Sequence, residues 1–368
     1  MAAPDTRSDV RLSVLDLAPV PAGTTAARAL ANSVELAQHV ERLGYTRHWV
    51  AEHHNMAGIA SSSPPVLIAH LATATTSLRV GAGGVMLPNH ASLTVAEQFG
   101  TLEAFHPGRI DLGLGRAPGT DPTTAAALRR NTREVGDEFP TQLRDLLDYF
   151  AGTHPQIIAA TAACNRPEIW LLGSSDYSAH AAGLLGLPFS FAHHFASGGT
   201  AQALETYRDS FRPSQFLEQP YSMIGVPVIC APTSDEATFL SGPSAVSFVN
   251  LRQGRPIQMC SPEEAAQREL TAMERELIRS WHGPLVLGDP AEVRRGLEDL
   301  VARFAVDELM LTTMVYDHAD RLRSYELVAE AWDLPPASAT VGDPFKRSGT
   351  ENLNTRAISG CGYCAGKR

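Results

Sequence analysis

The chain has 368 residues, 44% of them apolar and 19% charged, and a formal net charge of −10. That composition fits a globular protein large enough for one big barrel or two smaller domains. The acidic balance argues against nucleic acid and anionic membrane surfaces as partners, because both reward clustered Lys and Arg. The opening MAAPDTRSDV lacks the apolar core of a signal peptide, and no apolar run is long enough to span a bilayer. The cysteines, Cys164, Cys230, Cys260, Cys361 and Cys364, are odd in number and suggest no disulfide framework. A cytoplasmic enzyme is the expectation.

Strand-like and helix-like segments alternate. LSVLDL (Leu12 to Leu17) is short, apolar and rich in β-formers. Thr24 to Leu43 carries apolar residues at helical spacing and ends at Gly44, a residue suited to closing a helix. RHWVAE is the second strand, and Pro64 and Pro65 start a helix to about Ser77. Leu78 to Leu87 is the third strand, followed by a helix from about Leu93 to Phe105. Arg109 to Gly115 is the fourth, followed by helical material to about Phe150. EIWLLG (Glu168 to Gly173) leads into a helix from about Tyr177 to Leu185. PFSFAHHF reads as strand, then Thr200 to Phe211 as helix. SMIGVPVICA is the seventh strand, and Glu308 to Met314 the eighth, with a helix from Ala319 to Trp332. Eight strand–helix units in this order predict a (β/α)8 TIM barrel over residues 1–334. Two doubly wound domains are the alternative, but no Gly-x-Gly-x-x-Gly turn follows the first strand.

Two regions break the rhythm. Residues 233–283, an insertion after the seventh strand, exceed a simple connection and hold their own helix, Pro262 to Trp281. On the catalytic face of a barrel such an insertion acts as a lid; the plain alternative is a surface excursion. Residues 335–368 are poor in large apolar side chains and rich in Pro, Gly, Ser, Thr and Asn, the composition of a flexible tail. The tail's Cys361-Gly-Tyr-Cys364 is half a zinc site and lacks the βαβ context of a redox motif, so it reads as incidental.

In such a barrel the C-terminal strand ends face the active site. VAEHHN (Val50 to Asn55) ends the second strand. Neighbouring side chains of a strand point to opposite sides, so Glu52 and His53 do not share a face. No His-x-His or His-x3-His spacing offers two ligands, so no metal is expected. A histidine here suits hydrogen bonding or proton transfer near neutral pH, or it simply closes the strand. Gly81, Gly83 and Gly84 strip side chains from the third strand, which is costly unless a bulge or a flat ligand needs the backbone close. Arg116 ends the fourth strand, where a guanidinium can grip an oxyanion with two parallel bonds. Gly173, Ser174 and Ser175 end the fifth strand just before a helix. Backbone amides and hydroxyls there form an anion site, or an ordinary N-cap. A phosphate pocket beside a glycine-lined slot for a flat ring has the shape of FMN, and a phosphorylated sugar fits almost as well.

Five stretches carry a resemblance: AEHHN, SPPVLIAHLATATTSLRVGAGGVMLP, VAEQFGTLEAFHPGRIDLGLGRAPG, WLLGSSDYSAHAAGLLGLPF and LGDPAEVRRGLEDL. In this order, between about Val10 and Trp332, they resemble the bacterial luciferase-like flavin-dependent monooxygenases. The resemblance implies a barrel that binds FMN or, in one branch, a deazaflavin, a separate reductase as the source of reduced flavin, and a homodimer. It implies His53 as the catalytic histidine, assisting the flavin's oxygen adduct and nearby proton movements. Gly83–Gly84 falls where the family often has a non-proline cis peptide against the ring, with Glu52 and Val85 as further cofactor contacts. Arg116 matches the phosphate arginine, and Gly173, Ser174, Ser175 and Ser178 match the phosphate side. His193 falls where luciferase has an aromatic residue near the ring. Gly115 replaces a reactive cysteine and Ser174 an acidic residue, and the segment after the seventh strand does not read like luciferase's mobile loop. Light emission and long-chain aldehydes are therefore not expected, and the likeness is to single-subunit, non-luminescent members of small-molecule (secondary) metabolism.

The expectation is an FMN-dependent monooxygenase that oxidises a small apolar or aromatic substrate with reduced flavin and oxygen, through a flavin (hydro)peroxide. Phe248, Leu251 and Met259 of the insertion are expected on the substrate side. The alternatives are a deazaflavin-dependent hydride-transfer dehydrogenase on the same barrel and a non-catalytic flavin-binding protein. A sugar-phosphate isomerase barrel would bind no flavin.

Overall fold

The computed structural model describes residues 10–117, 121–128 and 135–336. Its strands are β1 (Arg11–Asp16), β2 (Arg47–Val50), β3 (Arg79–Met86), β4 (Ile110–Gly115), β5 (Glu168–Gly173), β6 (Phe189–Phe191), β7 (Ser222–Cys230), β8 (Val286–Gly288) and β9 (Glu308–Thr312). The helices are α1 (Ala26–Leu43), α2 (Pro64–Ala74), α3 (Ser92–Phe105), α4 (Pro122–Ala127), α5 (Val135–Ala151), α6 (Asp176–Leu185) and α7 (His193–Ala196), then α8 (Thr200–Ser210), α9 (Ser234–Arg252), α10 (Pro262–Gln267), α11 (Ala272–His282), α12 (Pro290–Phe304) and α13 (His318–Trp332). The sheet order is β6-β5-β4-β3-β2-β1-β9-β7-β8, and β6 also pairs with β7. That pairing closes eight parallel strands, with their helices, into the expected (β/α)8 barrel. The seventh and eighth barrel strands are β7 and β9, as predicted. The first half of β7 pairs with β9 inside the barrel, and its last three residues extend to pair with β8.

Local chemistry explains most boundaries. The Thr25 hydroxyl accepts from the Arg28 amide to start α1, and Gly44, at φ 88°, closes it. Three details differ from the sequence expectation. The helix read over Pro262–Trp281 is two, because Ser261 with Glu264 and Thr271 with Glu274 each form a capping box and restart the backbone. The strand read over PFSFAHHF stops at Phe191, and His193–Ala196 coil into one helical turn. Strand β8 and helix α12 were not foreseen, although Asp289, Pro290 and Glu292 spell a capping box that marks the start of α12.

Strand alternation gives the barrel two cores. Leu12, Val14, Val50, Val80 and Ala82 face outward and are buried under the helices. Leu15, Trp49, Ala51, Trp170, Met223 and Met310 fill the interior, with the two indoles edge-on at 5.2 Å. Beneath them, at the N-terminal strand ends, lies a charged plug. Fully buried Arg47 donates to both Glu308 oxygens (2.8 and 3.1 Å), to Asp111 (2.8 Å) and to Glu168 (3.2 Å). Arg79 bonds Asp111 and Glu168 as well. Trp49, Trp170, Tyr221 and Ser13 each donate to one of these carboxylates. Burial drives the Glu168 carboxyl up to about 7, against the pull of Arg79 and Arg47. The missing side chain of Gly81 belongs to this plug: a Cβ there would stand 2.5 Å from Asp111 Cβ.

Candidate active site

The opposite end of the barrel is the open one. Strand β2 ends at Val50, and the residues after it keep the strand's parity. Trp49 and Ala51 point inward, so His53 follows them, while Glu52 turns toward the end of β3. The Glu52 carboxylate is 1% exposed and accepts from His54 Nε2, His90 Nε2 and the Met86 amide, each at 2.9 Å. Burial works to raise its pKa. The hydrogen bond and charge of His90, then the bonds from His54 and Met86, overcome that and hold it below the ordinary glutamate range. Glu52 is thus a fastener between β2 and β3, and no ligand is needed to explain it.

Replacing Glu52 by leucine leaves the Met86 amide without its acceptor and is expected to cost about 1–3 kcal/mol of unfolding free energy. A carboxyl with a depressed folded pKa stabilises above its unfolded value of 4.5, and that stability is lost as pH falls through the folded pKa. Urea unfolding of the two proteins should therefore differ near pH 7 and converge in acid. A gap of the same size at both ends of that range would count against the assignment.

His53 is held in place by the hydrogen bond its backbone amide donates to the Ser61 carbonyl oxygen at 2.9 Å. Its Nδ1 is buried and has no hydrogen-bond partner among the described residues. Burial lowers its pKa, and the charge of Glu52 only partly offsets this, so the ring is neutral at pH 7. Beside it, the Gly83–Gly84 peptide of β3 is cis. The β3–β4 register also shifts between Ala82 and Val85, so the bulge and the side-chain-free surface occur together. A Cβ on Gly83 would stand 2.8 Å from Trp49 Cε3, and one on Gly84 would stand 2.7 Å from the Gly113 carbonyl oxygen. Val85 lies past the bulge with its side chain in the outer core, which leaves only its backbone to meet a ligand.

Around the rim, the Arg116 guanidinium lies 4.2 Å above the Tyr177 ring, on the first turn of α6. Ser175 is the N-cap of α6, but its hydroxyl makes no capping bond, so among the described residues the first amides of this helix have no side-chain cap. Ser174, Ser175 and Arg116 are exposed at that end. Ser178 is buried against Gly173, where a Cβ would meet its Oγ at 2.6 Å. Exposed cation, hydroxyls and uncapped amides converge on one helix start, the arrangement that binds phosphate.

His193 does not join this cluster. The helical turn after β6 swings it outward, where Nδ1 lies 2.7 Å from Thr200 Oγ1 and the ring packs on Phe304 of α12. His194, one residue on, is the histidine that turns inward, toward Gly225. The insertion reaches the mouth through residues 257–259: the Ala22 amide donates to Met259 O (2.8 Å), and the Ile257 carbonyl crowds Gly58. Phe248 instead packs on Trp281 within the insertion, and Leu251 is exposed. The Cys361–Cys364 pair and the tail from 337 onward lie outside the described residues.

A family model described as luciferase-like monooxygenase matches residues 10–308. A luciferase-like monooxygenase of Escherichia coli (strain K12) is 44% identical over 327 residues, covering 88% of this chain and 98% of that protein. An N-acetyl-S-alkylcysteine monooxygenase of Bacillus subtilis (strain 168) is 34% identical over 334 residues, with 88% and 98% covered. The crystal structure of apo-MsnO8 aligns with a TM-score of 0.83 at 37% identity, covering 89% of this chain and 99% of that one. Two distant structures share the fold. One is the oxygenating constituent of 3,6-diketocamphane monooxygenase from Pseudomonas putida in complex with FMN (TM-score 0.66, 18% identity, 91% and 100% covered). The other is an F420-dependent secondary alcohol dehydrogenase (TM-score 0.64, 14% identity, 88% and 99% covered). The chain belongs to the luciferase-like monooxygenase family, and it is an enzyme, a flavin-dependent oxidoreductase of the monooxygenase class. Among the described residues no helix is long and apolar enough to cross a membrane.

Proposed function

We propose that this protein binds reduced FMN and uses oxygen to oxidise a small organic substrate of apolar or aromatic character. The observation that carries the reading is the grip at the start of α6: Arg116 over Tyr177, with uncapped amides and the Ser174–Ser175 hydroxyls. A phosphate fits that donor set, and the cis Gly83–Gly84 peptide offers a stretch of backbone without side chains for a flat ring to lie against. The orphaned Nδ1 of His53 offers one polar atom toward whatever occupies the slot. FMN, when bound, supplies the electrons and the reaction with oxygen. The chain's own residues do the rest. Arg116, Ser174, Ser175 and Ser178 hold the phosphate, and Trp49 under Gly83 forms a dry floor. His53, neutral at pH 7, takes or returns a proton at the reacting centre. The insertion, resting on the loops after β1 and β2, acts as a lid that excludes water.

Relatives named as monooxygenases at 44% and 34% identity support oxygen chemistry over deazaflavin hydride transfer. A separate reductase as the source of reduced FMN, a homodimer and a cytoplasmic location belong to the same reading.

Arg116→Ala removes one charge-assisted contact, about 1.5–3 kcal/mol, so FMN affinity should fall roughly 10- to 100-fold. Riboflavin, which lacks the phosphate, should bind wild type and variant alike. Fluorescence titration with both compounds decides it, and an unchanged FMN affinity would refute the phosphate assignment.

A further inference from the structure

The turn after β6 separates its two histidines, and the inward one has work the flavin reading does not use. The imidazole of His194 lies on the backbone of β7. Its Nδ1 is 3.3 Å from the Gly225 carbonyl oxygen. A Cβ at position 225 would stand 2.6 Å from Nδ1 and 2.9 Å from Cε1, so only glycine leaves this seat open. Gly225 lies two residues beyond Met223, which packs in the barrel interior with Leu15, Trp49, Trp170 and Met310. It therefore faces the same interior, one layer nearer the mouth. His53 stands two residues beyond Ala51 of that same cluster. The two imidazoles enter one chamber from opposite walls, close enough for the charge of His53 to act on His194. Phe195, its ring centroid 4.0 Å from His194, is 75% exposed beside them.

The hydrogen bond fixes the chemistry of the ring. A carbonyl oxygen only accepts, so Nδ1 of His194 carries the proton. Nε2 then holds the lone pair, and no group among the described residues donates to it. Burial, together with the charges of His193 and His53, pushes the pKa down to about 4 against the pull of the Gly225 carbonyl. The ring is thus an uncharged acceptor at neutral pH, unsuited to pairing with a carboxylate.

We propose that His194 is a specificity-determining residue whose Nε2 accepts a hydrogen bond from a neutral O–H or N–H group of the substrate, with the substrate's apolar part against Phe195. This narrows the substrate class of the proposed oxidation to uncharged donors carrying an apolar or aromatic body, and for its place in the reaction it rests on that reading. The tautomer and the donor preference do not depend on any cofactor.

The test uses full-length protein labelled with 15N-histidine, without flavin, and long-range proton–nitrogen spectra assigned through His194→Phe. The expected spectrum shows His194 protonated at Nδ1 only. Phenol, added as the probe, should shift the Nε2 resonance, and anisole, the same ring with its hydroxyl methylated, should not. Gly225→Ala keeps the histidine but closes its seat, and it should abolish the phenol-specific shift. A proton on Nε2 in the wild type, or equal responses to phenol and anisole, would overturn the proposal. FMN titration of the same sample keeps the two readings apart. Failure to bind FMN with the phenol response intact would sink the flavin reading alone. FMN binding without that response would sink only this one.

Discussion

Replacing Arg47 by methionine is expected to destabilise the protein by about 3–5 kcal/mol, the usual cost of stranding buried charge partners. Arg47 is the hub of the plug at the closed end of the barrel, bonded to Asp111, Glu168 and Glu308 at once. Methionine fills much of the volume but strips Glu308 of its guanidinium partner and leaves Asp111 and Glu168 bonded to Arg79. Burial then favours their protonated forms, since the charged form is the one that desolvation penalises. Carboxyls raised in the folded state bind protons more tightly there than in the unfolded chain, so the variant should lose stability as pH rises. Urea unfolding at pH 5 and pH 8 checks both points. A loss under about 1 kcal/mol, or no dependence on pH, would mean that the plug is not held by this arginine.

His53→Ala should lower substrate oxidation by roughly 10²–10⁴-fold, the range a positioned acid–base group supplies. FMN affinity should barely move, because the phosphate grip lies on the far side of the slot. The wild-type rate should also be full at pH 7 and fall as pH drops below 6.5 through the lowered folded pKa, since the neutral ring is the working form. His54→Ala is the control: that ring bonds Glu52, so its loss should act mainly on stability. Product formed per reduced FMN consumed is the quantity to measure. Equal losses in the two variants would deny His53 a special role.

Much of the barrel could be read from the chain because each strand is a short apolar run beside a punctuated helix, as with Thr25 and Gly44 around α1. The proposed site was legible where strand ends carry unusual chemistry: His53, Gly83–Gly84, Arg116 and the serines before α6. What stayed hidden depended on rotation. One helical turn after Phe191 decides whether His193 or His194 looks inward, and no periodicity in four residues fixes that. The visible clue was Gly225, a glycine in the middle of a strand, which marks close approach of another group. Gly81 misled in the opposite sense, because its space is taken by Asp111 at the far end of the barrel and not by a ligand. Similarly, the role of Glu52 as a fastener rests on His90 and the Met86 amide, partners more than thirty residues away in the chain.

The measurement to make first is a parallel anaerobic titration of the purified protein with reduced FMN and reduced deazaflavin, on wild type and Arg116→Ala. Tight binding of FMN, weakened by the substitution, with the deazaflavin ignored, is the predicted result. Preference for the deazaflavin, or FMN binding indifferent to Arg116, would contradict an FMN-dependent monooxygenase built on this rim.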